Sequence, residues 1–496
     1  MTASNPLVEQ AKHYDVIIVG TGSGNAIPAP EFDGLKIALV EQDRFGGTCL
    51  NVGCIPTKMF VLAADAARII SEAAKLGVHG TLNSIDWPSI QKRVFADRID
   101  PIAAGGEAYR RGPEQPHIDV YDQHARFVAP KVLAIGAQSK DGADKQTLIT
   151  ADHIIIAAGS RTTIPQFVAD SGVKYYTNKD IMRIPELPKK LVILGGGFIG
   201  TEFAHVFSSF GTEVHVVVRS GAMNRQSDPD ISARFTEVAS QDWHVHLNTQ
   251  ITALEPATSQ ADGAEDAPEN AVRIALDDGT EIIADAFLVA SGRTPNGDLM
   301  DPDLGGVELD EAGRIAVDEF GRTSVEGVWA LGDVSSPYQL KHIANHEAKV
   351  VFANVLASIE QKRPQRTFDH RVIPSAVFSH PQIGQAGMTE PEAKQWAEAN
   401  GTELTVKIQN YSDVAYGWAL EDKHGFAKLI ADKNTGQLLG AHFIGEQAAT
   451  LIQQCVQMMA LKLDVREVVS GQHWIHPALP ELIENAILGL EFNGAT

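Results

Sequence analysis

One arrangement constrains this chain more than any other feature, because it occurs twice. An apolar, β-branched strand runs into a glycine turn, a helix follows, and a second strand succeeds it. In the first copy, YDVIIV at 14–19 leads into Gly20, Gly22 and Gly24, and KIALV follows at 36–40. In the second, LVIL at 191–194 leads into GGGFIG, then a helix TEFAHVFSSF ended by Gly211, then EVHVVV at 213–218. Continuous apolar runs of this length, bounded by glycine, read as buried parallel strands. Glycines placed directly after such a strand let the backbone approach a pyrophosphate at the start of a helix. The repetition predicts an α/β chain with two dinucleotide-binding folds.

The two copies differ where the ligand would be read. In the first, Glu41 ends the second strand and can accept hydrogen bonds from ribose hydroxyls. The position of its third glycine is Asn25, and Pro28 and Pro30 follow. Proline removes helix donors, so the helix here is expected to be short or distorted. In the second copy Gly195, Gly197 and Gly200 make a complete fingerprint. Its second strand ends Val217, Val218, Arg219, with no acid between Val216 and Ser220, and Arg225 follows. Cations at this place suit the 2′-phosphate of NADPH, where an acid would suit NAD.

The remaining composition narrows the options. A chain of 496 residues, 44% of them hydrophobic, is long enough for three or four packed domains. A formal net charge of −22 argues against nucleic acid and anionic membrane surfaces as partners. No unbroken apolar run reaches the ~18–20 residues of a membrane span. The polar N-terminus runs straight into a strand, which gives the expectation of a cytoplasmic protein. Segments 138–146 and 258–270 read as solvated loops. A polarity rise at 362–370 marks a boundary before an α+β remainder.

Three cysteines are present: Cys49, Cys54 and Cys455. The first two lie in GGTCLNVGCIPTK at 46–58, a spacing that can close a small ring at a helix end. A close cytosolic pair is catalytic or metal-binding more often than structural, and without a local histidine no metal is expected. Gly46 and Gly47 keep the backbone close to what lies beneath, and the cation of Lys58 favours a thiolate. Cys455, in TLIQQCVQMMALKL, reads as a core thiol.

The run GGTCLNVGC resembles the redox-active segment of the flavin-dependent pyridine nucleotide–disulfide oxidoreductases. Further motifs recur in family order: IIIAAGSR at 154–161, ASGRTPN at 290–296, GVWALGDV at 327–334 and HPALPE at 476–481. The resemblance implies FAD-binding, NADPH-binding, central and dimerisation segments at 1–160, 161–294, 295–365 and 366–496. It implies that Gly20, Gly22, Gly24, Glu41, Gly47 and Thr48 serve FAD, as do Gly159, Gly332 and Asp333, and that Gly292, at the exit from the NADPH segment, is cofactor-binding. Lys58 and Glu202 are placed near the flavin ring. Gly195, Gly197, Gly200, Arg219 and Arg225 serve NADPH. Phe198 stands where relatives carry a flavin-shielding aromatic, although a plain core aromatic reads equally well.

In this family Cys54 faces the flavin, Cys49 attacks the substrate disulfide, and a histidine with its carboxylate, here His476 and Glu481, supplies acid and base. That histidine serves the other subunit, so a homodimer is implied. The segments GTGSGN, RIDPIA, SSPYQLKHIANHEA, DVAYGWA and WIHPALPE most resemble members that reduce mycothione, a low-molecular-weight thiol disulfide. A dihydrolipoamide dehydrogenase or a glutathione reductase-type enzyme is the alternative.

Overall fold

The computed structural model describes residues 6–136, 146–257, 270–361 and 365–493. The predicted loops at 138–146 and 258–270 lie almost wholly outside the described residues, as does part of the boundary at 362–370. The chain divides into two compact units, each drawn from three separate stretches.

The first unit takes Met1–Pro56, Gln91–Thr163 and Arg293–Asp369. Its sheet has the spatial order Ile118–Tyr121, Ile37–Val40, Lys12–Val19, Thr147–Ile156, Val132–Ile135, Ala125–Ala129. The first four strands are parallel, Val328–Ala330 pairs in parallel with Thr147–Ile156, and the last two form an antiparallel hairpin. Val16, Ile17, Ile18 and Ile154 to Ile156 are wholly buried, as a sheet covered on both faces requires. Val19 lies opposite both Val40 and Ile156. The glycine turn, Glu41 and Ala157 therefore leave the sheet at one carboxyl edge, where ligands of such sheets bind.

After Val19 the chain makes only a three-residue 3₁₀ turn, Ser23–Asn25. The distortion expected from Pro28 and Pro30 is present. Those prolines lack the amides that would bond the carbonyls of Gly24 and Ala26 in a helix. Arg110 takes the intervening carbonyl, donating to Asn25 O at 3.0 Å and to Asn25 Oδ1 at 2.9 Å.

The second unit takes Thr57–Ile90, Ile164–Gly292 and His370–Thr496. It holds the second copy as a parallel sheet in the order His244–Leu247, Glu213–Val218, Lys190–Leu194, Ala286–Val289. Here the glycine turn leads into a full helix, Phe198–Ser209. A five-stranded antiparallel sheet follows, built from strands between Ser375 and Gly445. Leu451, Cys455, Leu482 and Ile483 of helices Ala448–Ala460 and Glu481–Leu488 fill its core. Lys428, almost fully buried on this sheet, bonds Asp228 at 2.8 Å, Asp230 at 2.6 Å and Glu390 at 2.7 Å. The architecture is the expected one: two Rossmann-like folds and a C-terminal α+β portion.

One expectation needs correction. The helical stretch Gly47–Leu76 is long and apolar enough to cross a membrane by length and composition. Its apolar residues are interrupted by Lys58, Asp65 and Arg68, so they form no unbroken run. Phe60, Val61, Ala64 and Ala67 of this stretch are buried in the protein, and Asp65 is bonded by His205 at 2.8 Å.

Candidate active site

Cys49 lies in a short helix, Gly47–Asn51, and Cys54 opens the long helix Cys54–Glu72. The turn between them is fixed from inside. Buried Asn51 donates through Nδ2 to Phe45 O at 2.9 Å and Gly47 O at 3.1 Å, and Val52 N donates to Thr48 O at 2.9 Å. A side chain at Gly53 would press on Thr48 O at 3.0 Å. Gly47, at φ +69°, abuts Gly22: a Cβ on Gly47 would sit 2.7 Å from Gly22 Cα. Two glycines thus bring the cysteine loop onto the first glycine turn, and Thr48 comes with it.

Both thiols are free, Cys49 half-buried and Cys54 exposed. The Cys54 thiol donates its proton toward Cys49. This hydrogen bond, the Lys341 ammonium and the backbone N–H groups of Cys54 and Ile55 outweigh burial and lower Cys49 to about 7. The same hydrogen bond raises Cys54 well above the ordinary thiol range. Cys49 therefore stands at a helix N-terminus beside a cation, the surroundings that make a reactive thiolate.

The first glycine turn fits FAD by its open backbone and by the carboxylate beside it. Glu41 Oε2 accepts from Thr21 N at 3.0 Å and Thr21 Oγ1 at 2.6 Å, which holds the carboxylate against the turn. Gly20, at φ +104°, could not carry a Cβ, which would meet Ala157 O at 2.2 Å. Asp333 Oδ2 accepts from Ser160 Oγ at 2.6 Å, next to Gly159, and Gly332 N donates to Glu347. Gly292 precedes Arg293, whose guanidinium bonds Ser160 Oγ at 2.8 Å.

The second turn fits a nucleotide as well. Gly195 is held by the same constraint as Gly20, with Ala290 O 2.4 Å from any Cβ, and Gly200 packs against Gly195 O. Gly197, at the mouth of helix Phe198–Ser209, has open space where its side chain would be. Phe198 is exposed. Arg219 and Arg225 are both exposed, and among the described residues neither forms an ion pair. Glu202 and Lys58 converge on one residue: Glu202 Oε1 accepts from Phe378 N at 3.0 Å, and Lys58 Nζ lies 4.0 Å from the Phe378 ring centre.

His476 Nδ1 lies 2.6 Å from Glu481 Oε1, and Ala478 N donates to Glu481 Oε2 at 3.3 Å. The carboxylate engages one ring nitrogen and leaves Nε2 available. The imidazole is 69% exposed, and apolar Ile475 and Leu488 nearby in sequence are also exposed. Cys455 is fully buried, which pushes its thiol up to about 12 and removes it from redox chemistry.

Three residues that meet predicted site residues within their own units escaped sequence reasoning: Lys341, Arg293 and Phe378. Arg293 lay inside the quoted ASGRTPN run, so that motif could have yielded it. Lys341 lay inside the quoted SSPYQLKHIANHEA run, which does not say what its ammonium will meet, and Phe378 carries no local signal, since it reaches its place through tertiary structure.

Residues 14–348 match the model of the pyridine nucleotide-disulphide oxidoreductase family, and residues 373–487 match that family's dimerisation domain. Mycothione reductase of Mycobacterium tuberculosis (strains CDC 1551 and H37Rv) is 48% identical over 96% of this chain and 99% of its own length. Dihydrolipoyl dehydrogenase of Corynebacterium glutamicum is 30% identical over 97% of this chain and 98% of its own. The HOCl-induced flavoprotein disulfide reductase RclA of Escherichia coli shares the fold, with a TM-score of 0.78 at 24% identity over 96% and 99% of the two chains. The chain belongs to the pyridine nucleotide–disulphide oxidoreductases and is an FAD- and NADPH-dependent disulfide reductase.

Proposed function

We propose that this enzyme reduces mycothione to two molecules of its thiol, with NADPH as the source of electrons. The observation that carries the substrate is the 48% identity to mycothione reductase over nearly the full length of both chains. Residues 161–294 carry the nicotinamide nucleotide on this reading, with Arg219 and Arg225 at its 2′-phosphate.

FAD, held at the first glycine turn with Glu41 and Asp333, would supply two-electron transfer between NADPH and the Cys49–Cys54 disulfide. The chain's own residues do the rest. Cys49, the more acidic thiol, attacks one sulfur of the substrate as a thiolate, forming a mixed disulfide. His476 protonates the departing thiolate, and Glu481 fixes its tautomer and stabilises the imidazolium. Cys54 then attacks Cys49, releases the second thiol and restores the enzyme disulfide. By the family pattern His476 acts on the cysteines of a second copy of the chain. Its own exposure, and that of Ile475, Leu488 and Trp418, suits a surface that another copy covers.

The test is a panel of mycothione, glutathione disulfide, lipoamide and oxidised thioredoxin, each with NADPH and with NADH. Preferred turnover of mycothione with NADPH is expected. Preferred turnover of lipoamide with the NAD couple would replace this reading with the dihydrolipoyl dehydrogenase one.

A further inference from the structure

The strand His244–Leu247 is the edge of the second nucleotide sheet, and its register sets His244 opposite His215. Side chains alternate along a strand, so Glu213 and His215 share a face with His244 and His246. The contacts are close. His215 Nε2 lies 2.9 Å from Glu213 Oε1, and His215 Nδ1 lies 3.1 Å from His246 Nε2. The His215 ring stacks on His244 at 4.5 Å and on His246 at 5.4 Å. One ligand atom from each of Glu213, His215 and His244 falls within 4.8 Å of the others. Disulfide reduction has no use for these groups. They sit at the start of strand Glu213–Val218, about 13–20 Å along the chain direction from Arg219, which follows its end.

We propose that Glu213, His215 and His244 form a binding site for one divalent transition-metal ion of the Zn²⁺, Ni²⁺ or Cu²⁺ type, with His246 orienting His215. Imidazole and carboxylate together are the donor set these ions prefer. His215 supplies Nε2, Glu213 a carboxylate oxygen and His244 a ring nitrogen, which leaves a fourth position for water. Metal–ligand bonds of about 2.0–2.2 Å require the exposed Glu213 and His244 side chains to close slightly around buried His215. The metallated His215 carries its proton on Nδ1 and donates it to His246 Nε2, the outer-shell bond that fixes a ligand tautomer. Lys190 Nζ, 2.9 Å from Glu213 Oε1, is the resident counter-ion that the metal displaces. The ion would clamp an edge strand to its neighbour.

The experiment uses tag-free holoenzyme with Cys49 and Cys54 oxidised to the disulfide, so that the thiols do not compete. Zn²⁺ is titrated by calorimetry, and Cu²⁺ binding is followed by electron paramagnetic resonance. One equivalent per chain is expected, with Cu²⁺ showing coupling to two imidazole nitrogens and Zn²⁺ raising the melting temperature. His244→Ala and Glu213→Gln, both at exposed positions, should weaken this equivalent at least about tenfold with disulfide reductase activity unchanged. The proposal fails if the wild type takes up no equivalent, or if both variants bind as the wild type does.

Discussion

The acidity of Cys49 can be measured directly and its causes ranked. A thiol titrating at about 7 is about half ionised at pH 7, whereas one at the ordinary ~8.5 is only ~3% ionised. Cys49 in the reduced holoenzyme should therefore carry roughly fifteen times more thiolate at pH 7 than an ordinary thiol, and, since a less basic thiolate is a weaker nucleophile, should react with iodoacetamide roughly three times faster at equal access. The sign follows from the direction of the shift. The thiolate is present above the midpoint and is lost as pH falls through about 7. For the same reason the fold gains stability from this group above the unfolded value of ~8.5 and loses it as pH falls through the folded one. The Cys54 hydrogen bond contributes most and the Lys341 charge next. Cys54→Ala should raise the alkylation midpoint by roughly one unit or more, and Lys341→Met by less. Alkylation is followed at the Cys49 peptide by mass spectrometry across pH 5–10. A wild-type midpoint near 8.5, or a larger effect of Lys341→Met than of Cys54→Ala, would refute the account.

Removing Arg219 and Arg225 together should raise KM for NADPH far more than for NADH, since each charge-assisted phosphate contact is worth roughly 1.5–3 kcal/mol; steady-state kinetics with both coenzymes decides it, and equal losses would make the arginines structural. Lys428→Met strands the fully buried Asp228 carboxylate beside Asp230 and Glu390. Its expected cost of ~3–5 kcal/mol is read as a fall in denaturant midpoint, and an unchanged midpoint would contradict it. A purified heterodimer of Cys49→Ser and His476→Ala chains has one site with both cysteines and a working histidine. It should show about half the wild-type activity although both parent homodimers are inactive; no recovery would sink the shared-site model.

The sheets were legible because parallel strands buried on both faces must be continuous β-branched runs, as YDVIIV and EVHVVV are. The collapse of the first helix was legible from Pro28 and Pro30 for an equally local reason. The cysteine loop and the His476–Glu481 pair were legible because their partners lie within five residues of each other. Lys341 was not, since nothing near position 341 says that its ammonium will stand beside Cys49. The His215 cluster was hidden for a related reason: EVHVVV reads only as a strand, and strand register alone sets His244 opposite His215. Gly47–Leu76 shows the opposite failure, where composition alone admits a spanning helix whose apolar face the protein itself buries in part.

The two glycine turns start from one constraint and then part. Gly20 and Gly195 both adopt positive φ beneath a carbonyl, that of Ala157 or Ala290, and neither tolerates a side chain. After Gly197 comes a helix of 12 residues, whose N-terminus offers roughly half a positive charge to a phosphate. After Gly22 comes only the turn Ser23–Asn25, too short to sum such a dipole. The positive charge at the first turn comes from a side chain. Lys341 Nζ donates to Ser23 Oγ at 3.0 Å, and Ser23 Oγ in turn meets Asn345 Oδ1 at 3.0 Å. One ammonium thus stands at the turn that would receive the FAD pyrophosphate and acts on Cys49 as well. Lys341→Met should then do two things at once: raise the Cys49 midpoint and weaken FAD retention. Flavin release in graded guanidinium or high salt measures the second effect by fluorescence, and Lys341→Arg should restore both. If Lys341→Met shifts the thiol but holds FAD as firmly as the wild type, the backbone amides of the turn suffice and the lysine serves the cysteines alone.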